Sequence, residues 1–381
     1  MTVALHDMRV LAGAELRSGL AVLVDGERIA AVVDAADPRV AAAKRRIGLG
    51  GRALLPGFVD WQVNGGGGAL FNDRPDVDTL RRIGAAHRRY GTTGFLPTLI
   101  SDSAEVMRRA IAAVREAIDA GVPGVLGIHL EGPYIAPARR GAHDPAQFRV
   151  PDREEIDLVC SLERGVTVLT LAPECVDPAL VQEFAARGVI VCAGHSAASY
   201  EQARAALDAG ARGFTHLYNA MSPLQGREPG MVGAALDDAD SWCGIIVDGY
   251  HAHPAALRVA LAAKARGKVT LVTDAMPPVG ADTPHYRLAG VEITCRGGRC
   301  ETPDGVLAGS ALDMAAAVRN SVAWLGVALP EAARMASAYP ADFLGLAGER
   351  GRIAEGLRAD FVEVDDAGTV LRTWIGGRAD S

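Results

Sequence analysis

The sequence predicts an α/β protein: a (β/α)8 TIM-like barrel with a small β-sandwich domain built from both termini. Three observations predict it. About eight apolar runs recur along the middle of the chain, the strand number of a parallel barrel. The runs are continuous rather than alternating, as expected of parallel strands buried on both faces. Amphipathic segments separate most of them, and several of these end in glycine, a helix stop.

The elements follow in order. The opening stretch reads as short strands and turns: one near Val10-Leu11, another from Gly19 through Val24, then "DGERI" with its Asp-Gly hairpin signal. The strands of the barrel are predicted in "LLPGFVDWQVN", "TGFLPTLI", "GVLGIHLEG", "VTVLTLAPE", "VIVCAGHS", "GFTHLYNAM", "CGIIVDGYH" and "VTLVTDAM". Helices are predicted in "DVDTLRRIGAAHRRYG", "SAEVMRRAIAAVREAIDAG", "DREEIDLVCSLERG", "PALVQEFAARG", "SYEQARAALDAGA" and "PAALRVALAAKARG". The last stretch, "ADFVEVDDAGTVLRTWIGGRAD", returns to two alternating runs around a turn. The expected division is residues 1–52 plus 348–381 as the sandwich and 53–347 as the barrel.

Composition narrows the function. The chain has 381 residues and a net charge of −7, which offers no basic field for nucleic acid. No apolar run reaches the roughly 18 residues of a membrane span. The N-terminus lacks the pattern of a secretory leader, so a cytoplasmic protein is expected. The six cysteines form no C-x-x-C pair and are expected to be reduced, mostly buried thiols.

Polar residues fall where the predicted strands end, and a barrel gathers those ends at one mouth. Gln62 and Asn64 follow the first run, Glu131 the third and His195 the fifth. His216 and Asn219 end the sixth, His251 follows the seventh and Asp274 ends the eighth. A glutamate there is either a structural ion-pair partner or a metal ligand. With His195 and His216 on neighbouring strands it makes three protein ligands with a fourth position open, the pattern of a catalytic zinc-type centre. Zn2+ suits this donor set, and Fe2+, Co2+ or Mn2+ also fit it. Asp274 reads as a general base beside the metal, with a fourth ligand or a helix cap as its other roles. His129, two residues before Glu131, reads as a packed core histidine; His6 and His87 read as surface residues.

Three loops read as substrate handling. His143 lies in "RRGAHDPAQF" after the third strand, and Asn219 and Arg227 lie in "NAMSPLQGREPGMVG". "LAGSALDM" reads as a glycine-containing turn opening a helix, whose N–H groups could hold an anion or sugar hydroxyls. Arg227 is otherwise a solvated surface charge. The glycines at 65–68 fit a phosphate cradle or a close-packed turn equally well.

Together "PGFVDWQVNGGGG", "HLEGPYI", "GHS", "THLYNAMSPLQGREPG", "DGYHAH", "LVTDAM" and "LAGSALDM" resemble the N-acetylglucosamine-6-phosphate deacetylase family of the amidohydrolase superfamily, over essentially the whole chain. The resemblance implies one divalent metal on Glu131, His195 and His216, with Asp274 as catalytic acid/base and His143 near the scissile acetamide. It implies sugar contacts from Ala142, Asn219, Ala220, Leu307, Ala308 and Gly309, and phosphate contacts from His251 and Arg227. It implies a homodimer in which Arg227 reaches the partner's site. Gln62 and Asn64 stand where two-metal relatives carry His-x-His, so they read as a vestigial second-metal position. The sequence leaves open another substrate, such as N-acetylgalactosamine 6-phosphate, and a non-catalytic sugar-phosphate-binding barrel.

Overall fold

The computed structural model describes residues 2–379. Eight strands form one sheet in chain order: β1 (Phe58–Val63), β2 (Thr92–Ile100), β3 (Gly127–Glu131), β4 (Val166–Leu171), β5 (Ile190–Ala193), β6 (Gly213–Phe214), β7 (Trp242–Ile245) and β8 (Val269–Leu271). From β2 to β8 each strand pairs with the next in parallel. Val63 pairs with Ala275 just beyond β8, which closes the ring. The Asp274 N–H donates to the Gln62 carbonyl at 3.0 Å, and the Asn64 N–H to the Ala275 carbonyl at 2.9 Å.

The six predicted helices form, and their spacing explains their packing. The helix Ala104–Asp119 is capped by Ser103 and buries Met107, Ala110, Ile111, Val114 and Ala117, one stripe at helical period. These residues share a core with Leu99, Ile128, Leu130, Leu169 and Val191 of the sheet. A further helix, Gly230–Asp237, continues the loop that carries Arg227.

The chain divides into two compact units. One holds the described residues through Asp60, with His87–Gly94 and the segment from Met314 on; the other holds Trp61–Ala86 and Phe95–Asp313. The first contains two sheets, a smaller one of N-terminal strands alone and a larger one drawn from both ends of the chain. In the larger, Phe361–Val364 pairs with Ala53–Pro56, so C-terminal and N-terminal strands are neighbours. Leu5 and Val22 of the smaller sheet meet Val10, Leu54, Phe361 and Trp374 of the larger in one core. The "DGERI" turn joins Leu20–Asp25 to Arg28–Asp34, with Gly26 at φ 58°.

Several expectations need correction. His87 is fully buried, because it follows Leu80 and Ile83 on the inward face of the helix Val77–Arg88. "LAGS" is a strand, Leu307–Ser310, and the helix begins only at Met314. This strand closes a four-stranded antiparallel sheet (His285–Leu288, Val291–Arg296, Arg299–Glu301, Leu307–Ser310) inserted after β8. Its tight hairpin sets Cys295 opposite Cys300, and the two form a disulfide; the other four cysteines are free. Cys160 and Cys175 are only partly buried. The glycines are packed against neighbours: Gly65–Gly66 pairs with Ala69–Leu70, and a Cβ on Gly65 would meet the Ala69 carbonyl at 2.4 Å.

Candidate active site

A buried polar network forms the barrel floor. Trp61 Nε1 donates to Thr270 Oγ1 at 2.9 Å. The Val63 N–H donates to Thr98 Oγ1, which also shares a hydrogen bond with His129 Nδ1 at 3.1 Å. His129 Nε2 lies 2.8 Å from Thr170 Oγ1, and Thr170 meets Thr215 at 2.6 Å. His129 is thus the packed core histidine its position suggested, and burial lowers its pKa to about 4.

Above this floor Glu131 ends β3, while His195 and His216 follow β5 and β6. Glu131 Oε1 lies 3.3 Å from His195 Nε2 and 3.0 Å from His216 Nε2, and the two Nε2 atoms are 3.1 Å apart. All three residues are buried. Burial alone would raise the Glu131 pKa; hydrogen bonds and positive charge from the two imidazoles outweigh it and hold the carboxyl well below the usual range.

These residues fit a divalent ion. A tetrahedral site with bonds of about 2.0–2.1 Å separates its ligand atoms by roughly 3.3 Å, close to the spacing found here. His195 Nδ1–H donates to the Arg139 carbonyl at 2.9 Å, which leaves its Nε2 lone pair facing the other two ligands. Among the described residues this is the one such cluster of His, Cys, Asp or Glu.

The backbone that presents these groups is unusual. His195 (φ 49°), His216 (φ 34°), Tyr218 (φ 79°), Ala220 (φ 50°) and Asp274 (φ 52°) adopt the left-handed region. Non-glycine residues seldom do so, and such outliers concentrate at sites where position matters more than local comfort. Glu174, beyond β4, reinforces the His195 turn by accepting from Ser196 Oγ at 2.6 Å and the Ala197 N–H at 2.5 Å.

Gln62 and Asn64 share a face of the chain and both reach carboxylates. Gln62 Nε2 donates to Glu131 Oε1 at 3.0 Å and to Asp274 Oδ1 at 3.3 Å; Asn64 Nδ2 donates to Asp274 Oδ1 at 2.6 Å. Burial first, and the charge of Glu131 second, push the Asp274 pKa up to about 6. Across the cavity, the Ser101 N–H donates to His143 Nδ1 at 3.3 Å, with Ser101 Oγ at 2.8 Å. Nδ1 is therefore an acceptor and Nε2 carries the proton. Burial, then the nearby His195, lower the His143 pKa to about 3, so this imidazole is neutral.

One cavity of about 480 Å³ joins Glu131, His143, His195, His216 and Asp274. Ala142, Asn219, Ala220, His251, Leu307 and Gly309 also line it. His251 is oriented by Asp248, whose Oδ2 lies 2.6 Å from Nδ1. Ala308 is buried behind the wall, and Tyr286 donates to its carbonyl. Arg227 is exposed and does not line the cavity. Sequence reasoning missed Arg139 and Arg140, which line it, and Ser101, Glu174 and Asp248, which orient its histidines.

The amidohydrolase family model matches residues 53–379. The chain belongs to the amidohydrolase family. It is similar to an N-acetylgalactosamine-6-phosphate deacetylase of Shewanella sp. (strain ANA-3), 47% identical over 85% of this chain and 82% of that protein. It is also similar to the N-acetylglucosamine-6-phosphate deacetylase of Haemophilus influenzae, 36% identical over 94% of each chain. The crystal structure of N-acetylglucosamine-6-phosphate deacetylase from Pasteurella multocida superposes with a TM-score of 0.97, at 34% identity and full coverage of both chains. An amidohydrolase of this kind is a metal-dependent enzyme acting on an amide, and Glu131, His195 and His216 supply a place for the metal.

Proposed function

We propose that this amidohydrolase removes the acetyl group of N-acetyl-D-glucosamine 6-phosphate, giving D-glucosamine 6-phosphate and acetate. The carrying observation is the convergence of Glu131, His195 and His216 with Asp274 and a neutral His143 on one cavity. The relatives named above act, by their names, on N-acetylated amino-sugar phosphates.

A divalent ion held by Glu131, His195 and His216, Zn2+ by preference of the donor set, would supply Lewis acidity toward the acetamide carbonyl and toward water. Asp274 takes the proton of the attacking water as the carbon–oxygen bond forms. His143 Nε2–H donates to the oxygen on which negative charge develops. Asp274 then delivers its proton to the departing nitrogen as the carbon–nitrogen bond breaks. Ala142, Asn219, Ala220, Leu307 and Gly309 bound the sugar, with Ala308 supporting the wall behind them. His251, fixed by Asp248, and Arg227 of a second copy in a homodimer take the phosphate, a pairing of imidazole and planar guanidinium suited to that anion. Two amide N–H groups occupy the position at Gln62 and Asn64, and amides ligate such ions poorly, so this reading has one metal per chain. A cytoplasmic location accompanies it, because a sugar phosphate does not cross a bilayer unaided.

A second reading, the galacto epimer as substrate, is favoured by the relative at 47% identity. The test is metal analysis of purified protein together with acetate release from both epimers side by side. Metal-bearing protein that releases acetate faster from the gluco compound supports the first reading. Faster release from the galacto compound selects the second, and no metal with no release overturns both.

A further inference from the structure

We propose that Asn64 and Gln62 are positioning residues that hold Asp274 by one oxygen and so dedicate the other to proton transfer. The proposal rests on Asp274 as the acid/base of the reaction. Both amides are buried, with Asn64 Nδ2 at 2.6 Å and Gln62 Nε2 at 3.3 Å from the same atom, Oδ1. Both amides thus donate to Oδ1, and Asp274 lines the cavity. The amide orientation is forced: a flipped Asn64 would set its carbonyl oxygen against a carboxylate oxygen.

The clamp is built into the barrel closure. Asn64 and Asp274 belong to segments paired through Asp274 N–H to Gln62 carbonyl and Asn64 N–H to Ala275 carbonyl. An aspartate side chain turns freely about its terminal torsion in solution. Here two N–H groups from one face fix it, so Oδ2 is the atom that receives the water proton when the carbon–oxygen bond forms. The same atom returns that proton to the amine nitrogen when the carbon–nitrogen bond breaks, leaving Asp274 a carboxylate again. Gln62 has a second duty, since its Nε2 also donates to Glu131 Oε1 at 3.0 Å. The two amides are thereby distinguishable: Asn64 serves Asp274 alone, and Gln62 links Asp274 to the metal ligands.

Asn64→Leu removes the donor while keeping the branched shape of the side chain. Loss of a charge-assisted hydrogen bond is expected to lower kcat about 10- to 100-fold, with KM and metal content unchanged. In a crystal structure of the variant the Asp274 carboxylate should be rotated. Gln62→Met should lower kcat less and release metal to a chelator more readily than the parent. If Asn64→Leu does not fold, the Gln62→Met variant decides by kcat and the Asp274 rotamer alone. Unchanged kcat with an unmoved Asp274 overturns the clamp. Turnover by Asp274→Asn would instead overturn the acid/base assignment beneath it, so the two failures are separable.

Discussion

His195 donates its Nδ1–H to the carbonyl oxygen of Arg139 at 2.9 Å, and this bond ties one imidazole of the Glu131–His195–His216 cluster to the loop that also carries His143. In that loop Gly141, at φ 56°, would place a Cβ 3.3 Å from His195 Cε1. A branched side chain there strains the backbone and displaces the ring. Gly141→Val is expected to weaken metal retention about 10- to 100-fold, the usual effect of disturbing an outer-shell partner. Titration with a chelator measures it; unchanged retention would show that the loop is not needed to aim His195.

Asp274→Asn is expected to leave metal binding intact and to reduce acetate release by about 10²- to 10⁴-fold, the contribution typical of a positioned acid/base. Asparagine tolerates the left-handed backbone at this position, so the local fold should persist. Near-normal turnover with bound metal would remove Asp274 from the reaction.

Metal analysis should return about one ion per chain. Gln62 and Asn64 turn N–H donors toward Asp274 Oδ1, and donors of this kind repel a cation rather than ligate it. Two tightly held ions per chain would overturn the view of these amides as occupying a lost metal position.

Arg227→Ala should raise KM for the phosphorylated sugar far more than for its unphosphorylated counterpart. Equal effects would remove Arg227 from phosphate recognition. Because Arg227 is exposed and outside the cavity of its own chain, the trans assignment makes a sharper demand. Mixing Arg227→Ala and Asp274→Asn chains should restore turnover at low substrate, since one mixed site pairs an intact Asp274 with an intact Arg227.

The strand ends were legible because parallel barrel strands are mostly apolar, so acidic and histidine side chains where the runs end mark the mouth. That logic reached Glu131, His195, His216 and Asp274. Backbone duties left no such mark: the Arg139 carbonyl acts on His195 whatever side chain it carries. Ser101 and Asp248 are common residue types whose partners emerge only on folding. The inserted sheet at 285–310 did carry a signal, Arg-Gly-Gly-Arg between "EITC" and "CE", a hairpin pattern that also pairs Cys295 with Cys300. His87 was legible from its spacing to Leu80 and Ile83, which outranks the polarity of its ring.

Stability should carry one pH dependence traceable to Asp238, the residue that ends the helix Gly230–Asp237 before β7. Its Oδ1 accepts from the Ser241 N–H at 2.6 Å and the Asp240 N–H at 3.1 Å, and Oδ2 accepts from Arg204 Nη1 at 2.5 Å. Burial pulls its pKa up, but these donors together pull harder and bring it from 3.8 down to about 2. A depressed carboxylate stabilises the fold in full above its unfolded value, and that contribution is lost as pH falls from about 4 toward 2. Asp238→Ala should therefore cost about 1–3 kcal/mol at neutral pH, since it removes the partly buried pairing with Arg204 and leaves the N–H of the buried Ser241 without its acceptor. The gap in urea midpoint between parent and variant should narrow as pH drops below about 4. A gap that stays constant through that range would show that the Asp238 carboxylate does not carry this stability.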